Sequence, residues 1–598
     1  MTRSPVRSAF LAGVAVTIAL TVLVTWGALA PGYLLYRDFV AVPDPVLNAA
    51  AFGAGGAPRA VPLDVVTAVT TWLVPSWLVQ KALLLAPLLL AGSGVSFLLR
   101  HRGYAATIVG SALAVWNPYV AERLLLGQSP TLLGYAMVPW LVAAVRSQRS
   151  LGARVALVTL AALPAALTPV GGVMALLTVG ITAASLILRA PEPEGELGTL
   201  GGPGMRTAGP KRWRLAGVRP DRVGLADGRL PGRHLSGGRF AGGGFAGGGF
   251  AGGRPGEAGL LCLPVIVLCL PWVVAGLRHP SLGATRAGAT AFAVAADSPA
   301  GVVGSVLTLG GVWAPGAWLA SRATPAAVVA ELVLVLAAGF SWWCLRRDPR
   351  LRRAADLALA SYALTVTVVL LAAGPASSWW RSLQVVPGMA ILRDTHRLLG
   401  FAAMSVALLC GLAASQVVAE VARRDWSGRW LPSAGGVLLL VSVGLLTAPD
   451  LAARLSTELV PVAFPGQWAQ VVAAVDTPPP LGSPAGGSVL ILPWQPFRQT
   501  PWAGPRPFQD PLPLALQADV VGARDLLVAP GGRSLWVGGE DPPQAEQWRH
   551  GQVDSAGLRR LGIGWLVEWV DSPGALPSGH EGMRKVLDGA HWRVWRVG

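Results

Sequence analysis

Apolar runs broken by short polar turns dominate the first three quarters of the chain. The runs fall at about residues 9–29, 77–99, 104–116, 132–145, 155–167, 170–188, 260–277, 326–344, 357–373, 398–421 and 436–446. Several reach about 18 residues, the length that spans a hydrocarbon core, and together they predict about eleven transmembrane helices. After every second run comes a basic turn or a polar insert: Arg100-His101-Arg102, Arg146 with Arg149, the stretch 190–257, Arg346 to Arg353, and Arg423-Arg424. Cytoplasmic turns carry an excess of arginine and lysine. That rule puts the N-terminus inside, brings the first helix out near Pro31, and delivers the C-terminal region to the outer face. The first run is longer than the roughly 7 to 15 residues of a signal-peptide core, so it is expected to remain as a helix.

Beyond about Ala448 the pattern changes to short apolar runs among prolines, glycines and charges. Val489 to Trp494, Trp565 to Trp569 and Trp592 to Val597 read as strands, the last with the two-residue alternation of a sheet that has one polar face. The fold class expected is therefore a polytopic α-helical membrane protein with a C-terminal extracytoplasmic α/β or mixed domain. Its parts are a first transmembrane region over 1–189 with an outer loop at 31–76, a Gly- and Arg-rich insert over 190–257, a second transmembrane region over 258–447, and a soluble domain over 448–598. The insert carries the repeat FAGGG-FAGGG-FAGG; sequence of that kind buries too little apolar surface to offset its chain entropy, so it is expected to be disordered and cytoplasmic.

Composition agrees with this picture. Of 598 residues, 53% are hydrophobic and 13% charged, against about 25% charged in an average soluble domain. The net charge of +17 is explained by basic turns beside apolar runs, and no nucleic-acid partner is expected. Cys262, Cys269, Cys344 and Cys410 lie in or beside apolar runs without metal-ligand or disulfide spacing. Eight tryptophans of the C-terminal region, Trp494, Trp502, Trp536, Trp548, Trp565, Trp569, Trp592 and Trp595, out of the nine beyond Ala448, offer sugar-stacking platforms, or serve as core and interfacial residues.

Ionisable residues near membrane depth are costly unless they are paired or work, so the outer loops are where chemistry is expected. The first follows a helix with Arg37, Asp38 and Asp44 and continues to Asp64. The second offers Asn117, Glu122, Arg123 and Gln128, the third Arg278, His279, Arg286 and Asp297, and the fourth Arg393-Asp394-Thr395-His396-Arg397. A carboxylate at the outer face can act as general base on an acceptor hydroxyl; Asp38 is the best placed, with Asp44 and Asp64 as rivals. Arg393, Arg397 and Arg123 are candidates for gripping a phosphate, a task suited to the guanidinium fork. Arg37, Asp394, His396 and Glu122 join them as substrate-binding candidates. The alternative for each pair is an interfacial ion pair that orients a helix end, and for His396 a hydrogen-bonded helix-end residue. No metal site is assigned and no cofactor is certain; a divalent cation is left open.

The stretches RDFVAVPDP (37–45), PRAVPLDVV (58–66), WNPYVAERLLLGQ (116–128), LLGYAMVPW (132–140), ADSPAGVVGSVLTLGGVW (296–313) and PGMAILRDTHRLLGF (387–401) resemble membrane glycosyltransferases of the C superfamily. Within it, they look closest to actinobacterial arabinofuranosyltransferase-type proteins that build cell-wall polysaccharide. The resemblance implies transfer of a sugar from a polyprenyl-phosphate donor to a cell-envelope glycan or glycolipid at the outer face of the cytoplasmic membrane. It puts the catalytic aspartate on Asp38. The partners implied are the lipid-linked sugar, the glycan acceptor and the bilayer. A transporter or flippase of lipid-linked sugars, or a non-enzymatic envelope-assembly protein, would fit the same helix count.

Overall fold

A computed structural model of the chain describes residues 3–54, 60–187, 255–279, 286–349, 351–386, 388–423, 430–476, 487–523, 526–528, 535–537 and 541–598. The insert read over 190–257 lies outside the described residues up to Arg254.

Each apolar run forms a helix. The N-terminal half contains α1 (Arg3–Thr25), the short α2 (Leu63–Thr70), α3 (Ser76–Leu99), α4 (Tyr104–Val115), α5 (Pro118–Leu125), α6 (Leu132–Val145), α7 (Leu151–Ala166) and α8 (Pro169–Ile187). The second half adds α9 (Pro255–Arg278), the short α10 (Arg286–Ala291) and α11 (Gly301–Leu307), α12 (Pro325–Leu345), α13 (Arg352–Ala373), α14 (Ser377–Leu383), α15 (Leu399–Arg423), α16 (Trp430–Leu446) and α17 (Leu451–Glu458). Among the described residues, seven helices (α1, α3, α8, α9, α12, α13 and α15) are long and apolar enough to cross a membrane. The pair α16 and α17, bent by 44°, passes the same test only if the two are counted together as one span. The other three predicted spans are helical but shorter, with 12 residues in α4, 14 in α6 and 16 in α7. At 1.5 Å per residue α4 reaches only about 18 Å.

Small residues let the helices approach closely, the usual device where no water drives helices together. A Cβ on Gly92 of α3 would meet the Thr17 side chain of α1, and one on Gly411 of α15 would meet the Ala106 carbonyl of α4. α1 and α3 run antiparallel. At one end Lys81 donates to the Ala28 carbonyl and the Gln80 amide brackets the Leu34 backbone at 2.8 and 2.9 Å; at the other, Ser96 donates to the Phe10 carbonyl at 2.9 Å. The arginine-bearing turns after α3 and between α12 and α13 lie at this second end, away from the first loop. Leu160, Leu336, Phe340 and Leu438 stand exposed on the helix flanks, as in a bundle whose surroundings are apolar.

The C-terminal region begins inside the bundle. Leu451, Leu455 and Leu459 pack in the helical core, so the separate sheet core starts later than residue 448. The remaining strands and helices are β1 (Tyr33–Leu34), which pairs with β2 (Pro461–Val462), then α18 (Gln467–Asp476), β3 (Ser488–Leu492), β4 (Phe497–Thr500), β5 (Gly504–Gln509), α19 (Leu512–Ala515), β6 (Val520–Val521), β7 (Leu526–Val528), β8 (Leu535–Val537), α20 (Ala545–Arg549), α21 (Ser555–Arg560), β9 (Ile563–Trp569), β10 (Met583–Asp588) and β11 (Trp592–Val597). A mixed five-stranded sheet runs β10-β11-β9-β3-β6. β3 is parallel to both β9 and β6, and β10 and β11 are antiparallel. Its centre is covered on both faces: Val489, Ile491, Val567 and Trp569 face one core, Leu490, Leu492 and Leu566 the other. Leu35, Val40 and Val42 of the first loop belong to the former core. Trp494, Trp548, Trp565, Trp569 and Trp592 are buried, which makes them packing residues in place of sugar platforms.

Candidate active site

The first loop is clamped between the helices and the sheet domain, and this clamp shapes the site. The Asn48 amide donates to the Pro513 and Leu516 carbonyls, both at 2.9 Å, while the Arg37 N–H donates to the Pro507 carbonyl and the Arg37 carbonyl accepts from the Gln509 N–H, both at 2.8 Å. Between these anchors Tyr36 and Phe39 exchange backbone hydrogen bonds, leaving Arg37 and Asp38 at the tip of a tight turn. Arg37 takes φ of 48°, a left-handed conformation unusual for a side-chain-bearing residue. The turn rests on Gly127, which has φ of 73°; a Cβ there would come 2.8 Å from the Tyr36 carbonyl oxygen and 3.0 Å from the Asp38 nitrogen.

The turn opens on a cavity of about 1410 Å³ between the bundle and the sheet domain. Asp38, Asp64, Arg393, Asp394 and Arg397 line it, together with Gln128, Arg498 and an apolar side made by Val170, Trp272, Phe292 and Ile391. Arg37 also reaches the wall, its guanidinium lying over Gly316. Arg393 stands over the Phe292 ring at 4.4 Å and, among the described residues, makes no ion pair. Burial, and then the neighbouring Arg397 charge, push its guanidinium down to about 10. A desolvated cation beside a second arginine is a site that an anion would stabilise. Asp44 is exposed and lies outside the cavity lining, in electrostatic reach of Tyr33.

Glu122, Arg123 and His396 sit behind the wall. The sequence reads Asn117 to Arg123 as an outer loop, but Asn117 caps a new helix. Its side chain accepts from Val120 N–H at 3.0 Å, Pro118 takes the first helical position, and all of α5 is buried. Arg123 forms a two-pronged pair with Asp394, Nη1 to Oδ2 at 2.6 Å and Nη2 to Oδ1 at 2.9 Å. Arg397 Nε lies 3.2 Å from the same carboxylate. Burial alone would raise the Asp394 carboxyl; the Arg123 and Arg397 charges outweigh it and hold it well below the usual carboxylate range. Arg123 Nη2 also meets His396 Nδ1 at 2.6 Å. Since arginine only donates, His396 accepts at Nδ1 and carries its proton on Nε2, which lies 3.0 Å from Glu122 Oε2. None of these three side chains is in the cavity lining; they lie behind Asp394 and Arg397, which are.

A second buried group continues from there; the sequence offers its Asp297, in the third outer loop, and Glu122, but gives no sign of Arg322 or Glu331. Asp297 accepts from Arg322 at 2.5 and 3.1 Å, and Glu122 accepts the Val312 N–H at 3.0 Å. For Asp297 the Arg322 charge outweighs burial and holds the carboxyl down at about 2, whereas burial and then the facing Asp297 charge push Glu122 well up. Glu331 lies near, buried with both carboxyl oxygens unpartnered. The fully buried Arg498, bonded to Asp510 at 2.8 Å, was also missed. The one available signal was that all are charges in otherwise apolar or Pro-rich stretches. Among the described residues no cluster of three or more His, Cys, Asp or Glu side chains is arranged to hold a metal ion.

Among solved structures, the chain is similar to the arabinofuranosyltransferase AftD from Mycobacteria, determined by single-particle cryo-EM. The TM-score is 0.52 at 17% identity, over 98% of this chain and 40% of that one. The likeness is one of fold. This chain thus spans two fifths of the length of the structure it matches. No protein-family model and no curated protein matches it. The polytopic helical fold with a sheet-containing C-terminal domain is shared across nearly the whole of this chain.

Proposed function

We propose that this chain is a membrane glycosyltransferase of cell-envelope synthesis that moves a sugar from a polyprenyl-phosphate donor to a glycan or glycolipid acceptor. The reading puts the reaction at the outer face of the cytoplasmic membrane, with the N-terminus inside and the sheet domain outside. The observation that carries it is one cavity lined both by Asp38 and by Arg393 and Arg397, with an apolar side toward the helices. The fold shared with an arabinofuranosyltransferase supports it, and makes an arabinofuranose donor the first to try.

In this reading Asp38 takes the proton from the acceptor hydroxyl as its oxygen attacks the anomeric carbon. The bond from that carbon to the phosphate oxygen breaks, and the electron pair leaves with the polyprenyl phosphate. Arg393 and Arg397 stabilise the charge that accumulates there, a term that preorganised donors in a dry site supply at no cost of reorganisation. Asp64 faces the same cavity and is the remaining rival base.

The test uses the full chain in proteoliposomes with radiolabelled polyprenyl-phosphate arabinofuranose and a synthetic arabino-oligosaccharide acceptor. Asp38→Asn is expected to lower turnover by about 10²- to 10⁴-fold, the usual range for loss of a positioned base. Undiminished transfer by that variant would remove Asp38 from the mechanism.

A further inference from the structure

One side chain joins the cavity carboxylate to the ion pair behind it. Gln128 follows α5, and its backbone N–H donates to the Arg123 carbonyl at 2.9 Å. Its Oε1 accepts from Arg123 Nη1 at 2.9 Å, and its Nε2 donates to Asp38 Oδ2 at 3.0 Å. A guanidinium can only donate and an ionised carboxylate can only accept. A neutral residue between them must do both, and an amide does so in a single orientation. Arg123 cannot swing away, because Asp394 holds it by two bonds and His396 meets it from the other side.

We propose that Gln128 is a positioning residue that passes the fixed orientation of the Arg123–Asp394 pair to Asp38, setting the rotation of the carboxylate that faces the acceptor. The inference rests on Asp38 being the base. Other charges reach Asp38 as well: Arg393 and Arg397 from the segment before α15, and Arg37 beside it in the turn. None of these can both accept from Arg123 and donate to Asp38. Gly127 is part of the same device, since its left-handed backbone brings the chain against the Asp38 turn before Gln128 begins.

Two substitutions in the full chain, in the same proteoliposome assay, test this. Gln128→Met removes both side-chain bonds at similar size. Gln128→Glu keeps an acceptor for Arg123 but sets a second carboxylate against Asp38. Gln128→Met is expected to lower kcat about 10- to 100-fold with the donor KM within about twofold, as for a misoriented reacting group. Gln128→Glu is expected to move the acidic limb of the pH–rate profile upward by about one unit, because two carboxylates sharing a site hold a proton more tightly. A purely structural role would lower the melting temperature without moving that limb. Should Gln128→Met fail to fold, the Gln128→Glu profile decides. Both variants within threefold of unaltered turnover, with the limb unmoved, would overturn the proposal. If Asp38→Asn is inactive while the Gln128 variants behave like the unaltered chain, only the positioning role falls. Full transfer by Asp38→Asn, or none by the unaltered chain, removes the reading beneath it.

Discussion

Glu122 illustrates how burial redistributes charge in this molecule. Its carboxyl is pushed well above its ordinary value of 4.5, first by burial and then by the facing Asp297, whose own proton is lost to the pull of Arg322. A carboxyl whose folded value lies above its unfolded one binds more protons in the native state. Its contribution to stability is therefore full below about pH 4.5 and declines as pH rises toward the folded value. Glu122→Gln keeps the size of the side chain and an acceptor for the Val312 N–H, without a titrating proton. The variant is expected to lose part of the fall in melting temperature that the unaltered protein shows as pH rises above 4.5, measured by scanning fluorimetry in detergent. An unchanged slope would mean that Glu122 is ionised in the fold. The sequence made Glu122, Arg123, Asp394 and His396 visible as charges in apolar company. It could not pair them, because Arg123 and Asp394 are 271 residues apart.

At the scale of elements, the turn between α5 and α6 supports the turn that carries Asp38. Gly127→Ala forces a side chain into the left-handed region, which costs about 1–2 kcal/mol, and drives its Cβ toward the Tyr36 carbonyl. The expected result is a loss of turnover of about 10- to 100-fold, since small displacements at a reacting centre are expensive. Gly103→Ala is the control: φ there is 88°, but nothing lies within 4 Å of an added Cβ. It is expected to lose stability with turnover retained. Equal turnover losses in the two variants would show that general strain, and not the contact with the Asp38 turn, is responsible. Helix positions were legible because apolar runs of this length have few other solutions. α5 was not: Asn117-Pro118 was read as a break, and the same two residues that end α4 also cap the next helix.

For the whole molecule, the basic turns and the cavity occupy opposite ends of the bundle, and the sheet domain sits at the cavity end. In a cell that places the sheet domain outside, Ser578→Cys, at an exposed position beyond β9, is expected to react with a membrane-impermeant maleimide added to intact cells. Arg102→Cys, in the turn after α3, is expected to react only after permeabilisation. The reverse pattern would turn the chain over and remove lipid-linked donors of the outer leaflet as substrates. The same arrangement explains why the first loop cannot be treated as an independent piece. Leu35, Val40 and Val42 fill the core of the sheet domain, while Tyr36 and Phe39 pack in the bundle.

By itself the sequence determined the helical segments, the gathering of arginines in alternate turns between them, the strands at Val489, Trp565 and Trp592, and the set of charges from which a site could be built. Each of these is written in local pattern: run length, basic punctuation and two-residue alternation. Only the tertiary structure decided which charges face the cavity and which stand behind it. Arg393 reaches the cavity wall without an ion pair among the described residues, Arg123 is locked to Asp394, Asp44 is left outside the lining, and Asp38 is tied through Gln128 to a helix 80 residues further along the chain. Burial and pairing depend on contacts between residues far apart in sequence, and pairing of that range leaves no trace in the local pattern of a single chain.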